Sequence, residues 1–134
     1  PVINLFNEKN NGETVLKLHA EGLINSLHDV SLGGIITAVS KMAIKGKKGF
    51  KLNKPKVLIN KFDYYFGEDQ GRYIIEIKPK NLPKVQKILK DNSVHCDEIG
   101  LVTEKDVIID KEPIIHIDDL IKSNKYWLEA YMDK

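Results

Sequence analysis

The chain has 134 residues, 42% of them hydrophobic and 30% charged, with a formal net charge of +2. That is the make-up of one folded domain rather than a disordered tail. No apolar run approaches the roughly 20 residues of a membrane-spanning helix, and no basic-then-apolar leader opens the sequence. The single cysteine, Cys96, has no internal disulfide partner, so a reducing cytoplasm is the expected compartment. The basic cluster Lys45-Gly46-Lys47-Lys48 lacks the interleaved aromatics of a nucleic-acid groove and reads as a solvated helix end. The first residue is Pro1 rather than methionine, which suggests a fragment or a processed chain. Its basic side chains are 20 lysines and one arginine, Arg72. Arginine persists in such a background where a planar, two-pronged donor is needed.

In chain order, Pro1 to Asn11 reads as an extended lead-in. Gly12 to Glu21 reads as a helix with Val15, Leu16 and Ala20 inward and Gly22 as its stop. Leu23 to His28 is a short strand, and Asp29 to Gly34 turns sharply. Ile35, Ile36, Val39, Met42 and Ala43 then sit at helical spacing, ended by Gly46. Phe50 to Asn60 is ambiguous and broken by Pro55. The aromatics Phe62, Tyr64, Tyr65 and Phe66 are expected against the core. A strand from Arg72 to Lys78 places Tyr73, Ile75 and Ile77 on one face. Asn81 is expected to cap a helix with the apolar stripe Leu82, Val85, Ile88 and Leu89, Pro83 being tolerated in its first turn. His95 to Thr103 is a strand candidate. Val107–Ile109 and Ile114–Ile117 form a hairpin around Asp110-Lys111-Glu112-Pro113. Asp118 is expected to cap a short last helix, with Trp127 anchoring the tail. Without a regular βαβ rhythm the class is α+β, a mixed β-sheet with packed helices, in one domain over residues 1–134.

Two constellations carry chemistry. In His28-Asp29-Val30-Ser31-Leu32-Gly33-Gly34, unpaired backbone N–H groups and the helix dipole meet at a glycine turn where an anion can approach the backbone. Ser31 would either cap the helix or donate its hydroxyl to a substrate phosphate, and a plain capped turn is the alternative. In Phe66-Gly67-Glu68-Asp69-Gln70-Gly71-Arg72, the lone guanidinium would either grip an anion bidentately or hold its own loop through Glu68 or Asp69. His95-Cys96-Asp97-Glu98 contains metal-ligand types, but alternation along a strand would keep them from converging. Neither a Walker loop, a dinucleotide fingerprint nor a serine nucleophile elbow occurs, so no catalytic residue and no metal site is assigned.

On these motifs the sequence resembles the C-terminal domain of phosphoribosylformylglycinamidine synthases. The similarity runs in order through Pro1-Val2-Ile3-Asn4-Leu5, Lys9-Asn10-Asn11-Gly12, Glu21-Gly22-Leu23, the His28-to-Gly34 turn, Phe66-Gly67-Glu68-Asp69-Gln70-Gly71-Arg72-Tyr73, Ile99-Gly100 and Tyr126-Trp127-Leu128-Glu129-Ala130-Tyr131-Met132. It fits the small bacterial form best. The resemblance implies a fold like that of aminoimidazole ribonucleotide synthase C-terminal domains. It also implies a place in an ATP-dependent ligase that phosphorylates the formamide oxygen of formylglycinamide ribonucleotide and displaces the phosphate with ammonia. ATP and Mg²⁺ would be held mainly by preceding N-terminal domains, leaving this piece inactive alone and without a cofactor of its own. Implied partners are those N-terminal domains, a glutaminase subunit, a small PurS-type subunit and, in some assemblies, a second copy. Carried across, Ser31, Gly33 and Gly34 are the anion cradle, His28 and Asp29 orient it, and Glu68, Asp69 and Arg72 set the neighbouring loop. The family usually has aspartate where this chain has Leu32, so the chain also fits a non-catalytic structural or dimerisation module, a degenerate remnant. The C-terminal domain of another enzyme of the same superfamily is the remaining alternative.

Overall fold

A computed structural model of the chain describes residues 3–53, 60–112 and 115–133. The chain divides into two compact units, one of Pro1–Val39 with Phe62–Glu98 and the other of Ser40–Lys61 with Ile99–Lys134.

The first unit opens with α1, Leu5–Ala20. The extended lead-in expected here is helix from Leu5 onward, because the Asn4 side chain caps it by accepting from the Asn7 N–H at 3.1 Å. Three asparagines and Gly12 are poor helix formers, so propensity alone hides this start. Tertiary contact supplies the rest: Thr14, Val15 and Leu18 are buried, whereas Leu16 and Ala20, expected inward, face solvent. Gly22 stops the helix as expected. Its φ of +67° lets its N–H reach His19 O and the Leu23 N–H reach Leu18 O, the paired bonds of a Schellman end.

Strand β1, Ser26–Asp29, pairs antiparallel with β3, Tyr73–Glu76, in the register His28↔Ile74 and Asp29↔Tyr73. Between them in sequence lie the start of α2, Gly34–Gly46, and α3, Lys61–Phe66. Of the four aromatics expected against the core, Tyr65 is buried and Tyr64 half-buried; Phe62 and Phe66 stack on each other but remain exposed. After a turn of 3₁₀ helix, Pro79–Asn81, comes α4, Leu82–Asp91. Its stripe Val85, Ile88 and Leu89 packs with Leu18 and Leu23 into one core, flanked by Ile24, Ile75, Ile77 and Val94. Asn81 makes no side-chain cap; its amide turns instead to Leu23 O at 3.4 Å.

The second unit receives the end of α2 and carries a four-stranded sheet in the order β4-β2-β5-β6. Strand β2, Gly49–Leu52, pairs antiparallel with β4, Gly100–Thr103, and parallel with β5, Asp106–Ile109; β6, Ile115–His116, closes on β5 antiparallel. This is the mixed sheet of the expected α+β class. The expected strand from His95 is confined to Gly100–Thr103, the pairing with β2 ending just before it where Ile99 O accepts the Asn53 N–H at 2.9 Å. Pro55, Pro113 and Ile114 lie outside the described residues. The last helix, α5, is Ile117–Met132, long rather than short, and its cap is the His116 side chain rather than Asp118. Ile117 is buried, but Trp127, expected to anchor the tail, is 61% exposed among the described residues.

Candidate functional site

Both sequence constellations fall in the first unit, and β1 and β3 bring them side by side. The ladder continues past Asp29, where the Val30 N–H donates to Arg72 O at 2.9 Å. Beyond it the chain turns through Gly33 (φ +81°) and Gly34 (φ +69°) into α2. Gly34 is required by space as well as by φ: a Cβ there would lie 2.6 Å from Tyr65 O and 2.7 Å from Phe66 C. The helix mouth is thereby pressed against the end of α3, immediately before the Gly67–Arg72 loop.

At that mouth the donor is already engaged. The Gly33 N–H donates to Glu68 Oε1 at 2.8 Å, so the carboxylate of Glu68, rather than the Ser31 hydroxyl, meets the positive end of the helix dipole. The Ser31 side chain is exposed and makes no hydrogen bond among the described residues. Leu32, in the position the resemblance gives to aspartate, is 77% exposed. His28 is half-buried, with Nδ1 2.6 Å from Asp29 O and 3.3 Å from Asp29 Oδ1.

Arg72 is engaged mainly with its own loop. One Nη donates to Gly67 O at 2.5 Å and lies 3.4 Å from Asp69 Oδ2, while Nε reaches Asp69 O at 3.3 Å. Of the two alternatives posed by the sequence, the loop-holding pair with Asp69 is therefore formed, and Glu68 is turned to the helix mouth instead. Arg72 also faces solvent on one side, where it lines a cleft of about 260 Å³ with Glu8, Asp29, Val30, Gln70, Gly71 and Tyr73. A second cleft of about 390 Å³ shares Glu8, Gln70, Gly71 and Arg72 and adds Ile3, Asn4, Asn7, Asn11 and Asp69. Asp29, Asp69 and Arg72 are thus on the clefts, whereas Ser31, Gly33, Gly34, His28 and Glu68 are not among their walls. Nearby Tyr64 is held above the ordinary phenol range, chiefly because burial disfavours the phenolate; Asp97 adds to the shift and Arg72 opposes it.

The clefts contain residues that sequence reading did not single out, namely Glu8, Asn11 and Gln70. Gln70 sits inside a motif already noticed. Glu8 and Asn11 lie three apart on one face of α1, a spacing that is informative only once this stretch is known to be helical. At the third candidate, residues 95–98 are not in a strand, and His95 Nε2 lies 2.9 Å from Asp97 Oδ2. Among the described residues no group of three His, Cys, Asp or Glu side chains is placed to hold a metal ion. No described helix is long and apolar enough to cross a membrane.

The model of the family described as AIR synthase related protein, C-terminal domain, matches residues 1–111. The chain is 64% identical over 133 residues to the phosphoribosylformylglycinamidine synthase subunit PurL of Pelagibacter ubique, which covers 99% of this chain and 18% of that protein. It is 35% identical over 132 residues to the subunit of the same name from Rhodopseudomonas palustris, covering 98% of this chain and 18% of the relative. The chain therefore spans less than a fifth of the length of these curated relatives. Among solved structures, T. maritima PurL complexed with FGAR matches with a TM-score of 0.76 at 21% identity, over 90% of this chain and 22% of that one. T. maritima PurL complexed with ATP gives the same TM-score and identity, over 90% of this chain and 23% of the other. At that identity the likeness is one of fold.

Proposed function

The chain belongs to the family of AIR synthase related protein C-terminal domains, and from that membership we propose that it works as the C-terminal domain of a phosphoribosylformylglycinamidine synthase. On this reading residues 1–134 act as one functional domain; the family match over residues 1–111 runs across both compact units. The whole enzyme amidates formylglycinamide ribonucleotide with ATP and Mg²⁺ in the cytoplasm. This piece adds one wall to the substrate cleft and is inactive alone. The sequence relatives carry the name of that synthase subunit, and the T. maritima protein has been solved in complex with FGAR and with ATP. A further solved structure of similar fold, PurLQS from Thermotoga maritima, supports a multi-subunit assembly.

The observation that carries the reading is the Val30–Arg72 bond, which sets the helix mouth beside the arginine loop. Glu8, Asp29 and Asp69 put negative charge on the clefts, which suits hydroxyl and amide groups of a ligand better than its phosphate. The phosphate belongs at Ser31, Gly33 and Gly34, where it takes over the Gly33 N–H once Glu68 swings aside. His28 and Asp29 then fix the turn from the strand side, while Asp69 and Arg72 hold the adjoining loop. Magnesium is assigned to the rest of the enzyme, and no step is routed through a metal on this chain.

Calorimetric titration of the chain with formylglycinamide ribonucleotide tests the proposal. Saturable binding that disappears in Ser31→Ala combined with Arg72→Ala is expected, and absence of binding by the wild type would overturn it. ATP hydrolysis by the purified chain is expected to be absent. The same titration decides against the second reading, a non-catalytic structural or dimerisation module, which draws its support from Leu32 and from the Glu68 carboxylate resting on Gly33.

A further inference from the structure

The geometry points to Asn11 as a positioning residue that sets Arg72 through the turn preceding it, an inference that rests on the reading of Arg72 given above. Asn11 lies on α1, far from the arginine loop in sequence. Its side-chain amide donates to Gly71 O at 3.0 Å across the unit. That carbonyl belongs to the peptide bond entering Arg72. The carbonyl leaving Arg72 is held by the Val30 N–H at 2.9 Å. The two peptide oxygens that bracket Arg72 are therefore both held, one by a helix side chain and one by the backbone that extends β1, which restricts the direction in which the guanidinium leaves the main chain.

The turn is fitted to this contact. Gly71 has φ +71°, and a Cβ on it would lie 2.9 Å from Glu8 Cγ. The loop thus lies directly against the α1 face that carries Glu8 and Asn11. Neighbouring Asn10 makes a different tie, its amide donating to Asn92 O at the end of α4 at 2.8 Å. The adjacent asparagines divide the work: Asn10 joins helix to helix, and Asn11 joins helix to arginine loop. Because Arg72 spends Nε and one Nη on Asp69 and Gly67, small rotations of its backbone move the whole loop, and Asn11 is the side chain that opposes them.

Two measurements test this on the 134-residue chain. In hydrogen exchange followed by NMR, Asn11→Ala should speed exchange where the arginine loop is tied down, at the Val30 amide that donates to Arg72 O, about three- to tenfold, the loss of one side-chain bond. Asn10→Ala should leave that amide unchanged. In the nucleotide titration, Asn11→Ala should weaken binding while the double variant with Arg72→Ala loses no more than Arg72→Ala alone, since both act through one group. Asn11→Asp, which keeps the shape but turns an acceptor toward the Gly71 carbonyl, should behave as Asn11→Ala does. Unchanged exchange at the Val30 amide in both Asn11 variants overturns the positioning role, and so do additive losses in the titration. If the wild type binds no nucleotide, the functional reading falls, and the exchange data alone decide whether Asn11 holds the turn.

Discussion

Gly34→Ala is the sharpest test of how the helix mouth is built. Two costs add at this position. An alanine held at φ +69° pays about 1–2 kcal/mol for the left-handed conformation. Its Cβ would also sit 2.6 Å from Tyr65 O, 2.7 Å from Phe66 C and 2.8 Å from Phe66 Cα. All three are backbone atoms and cannot rotate away, so α3 must shift, and overpacking of this kind costs about 1–3 kcal/mol. The sum is about 2–5 kcal/mol against a typical domain stability of about 5–15 kcal/mol. Gly22→Ala supplies the control: its φ is +67°, but nothing lies within 4 Å of the added Cβ, so only the first cost of about 1–2 kcal/mol applies. Urea denaturation followed by far-ultraviolet circular dichroism measures both. Gly34→Ala should lose at least about 1 kcal/mol more than Gly22→Ala. Equal losses would mean that the α3 end does not press on the helix mouth, and the description of the site would fail.

Asn4→Ala should cost about 1 kcal/mol in the same assay because a real cap is lost, while Asn81→Ala, which loses no cap and only the long 3.4 Å bond to Leu23 O, should cost less. The Lys48 ammonium, 2.5 Å from Glu104 Oε2, holds that carboxyl below its ordinary range, as Lys84 does for Glu21. A depressed carboxylate helps the fold above its unfolded pKa, and the help is lost as pH falls through the folded value. Glu104→Gln should therefore lower the neutral region of a stability–pH curve slightly, leave its acid end where it is, and so flatten the slope between them. Tyr64 titrates above the ordinary phenol range, so folding is favoured below the unfolded value and weakens as pH rises through the folded one. Subtracting the Tyr64→Phe spectrum in an ultraviolet pH titration should isolate this late phenolate.

Much of the fold was legible where one local rule governed. Gly22 as a helix stop and the stripe Val85, Ile88 and Leu89 follow from φ and periodicity, and the structure keeps them; α2 does end at Gly46, but the left-handed turn that ends it is at Lys47 (φ +53°). The start of α1 was not legible, because Asn7, Asn10, Asn11 and Gly12 argue locally against helix while their stabilising partners, Asn92 and Gly71, are 82 and 60 residues away. The cap of α5 is local and was hidden for another reason: it comes from the imidazole of His116, which accepts from the Asp118 N–H, rather than from one of the usual Ser, Thr, Asp or Asn caps. At the site, the two motifs could be named from residue types and glycines. The Arg72–Asp69 pair, three residues apart in one motif, could be posed from sequence, but that Glu68 would turn to Gly33 depended on the β1–β3 register, which no single motif encodes. The separation of the glycine turn from the clefts was hidden for the same reason.

The last helix has a practical consequence for anyone handling the chain. Its only tryptophan stands on the outside of α5, with Tyr131 and Met132 still more open beside it. Intrinsic emission will therefore start red and move little when the core melts, which makes it a poor thermometer for the fold. It will answer instead to whatever covers that helix, shifting blue and escaping acrylamide when a surface closes over the indole.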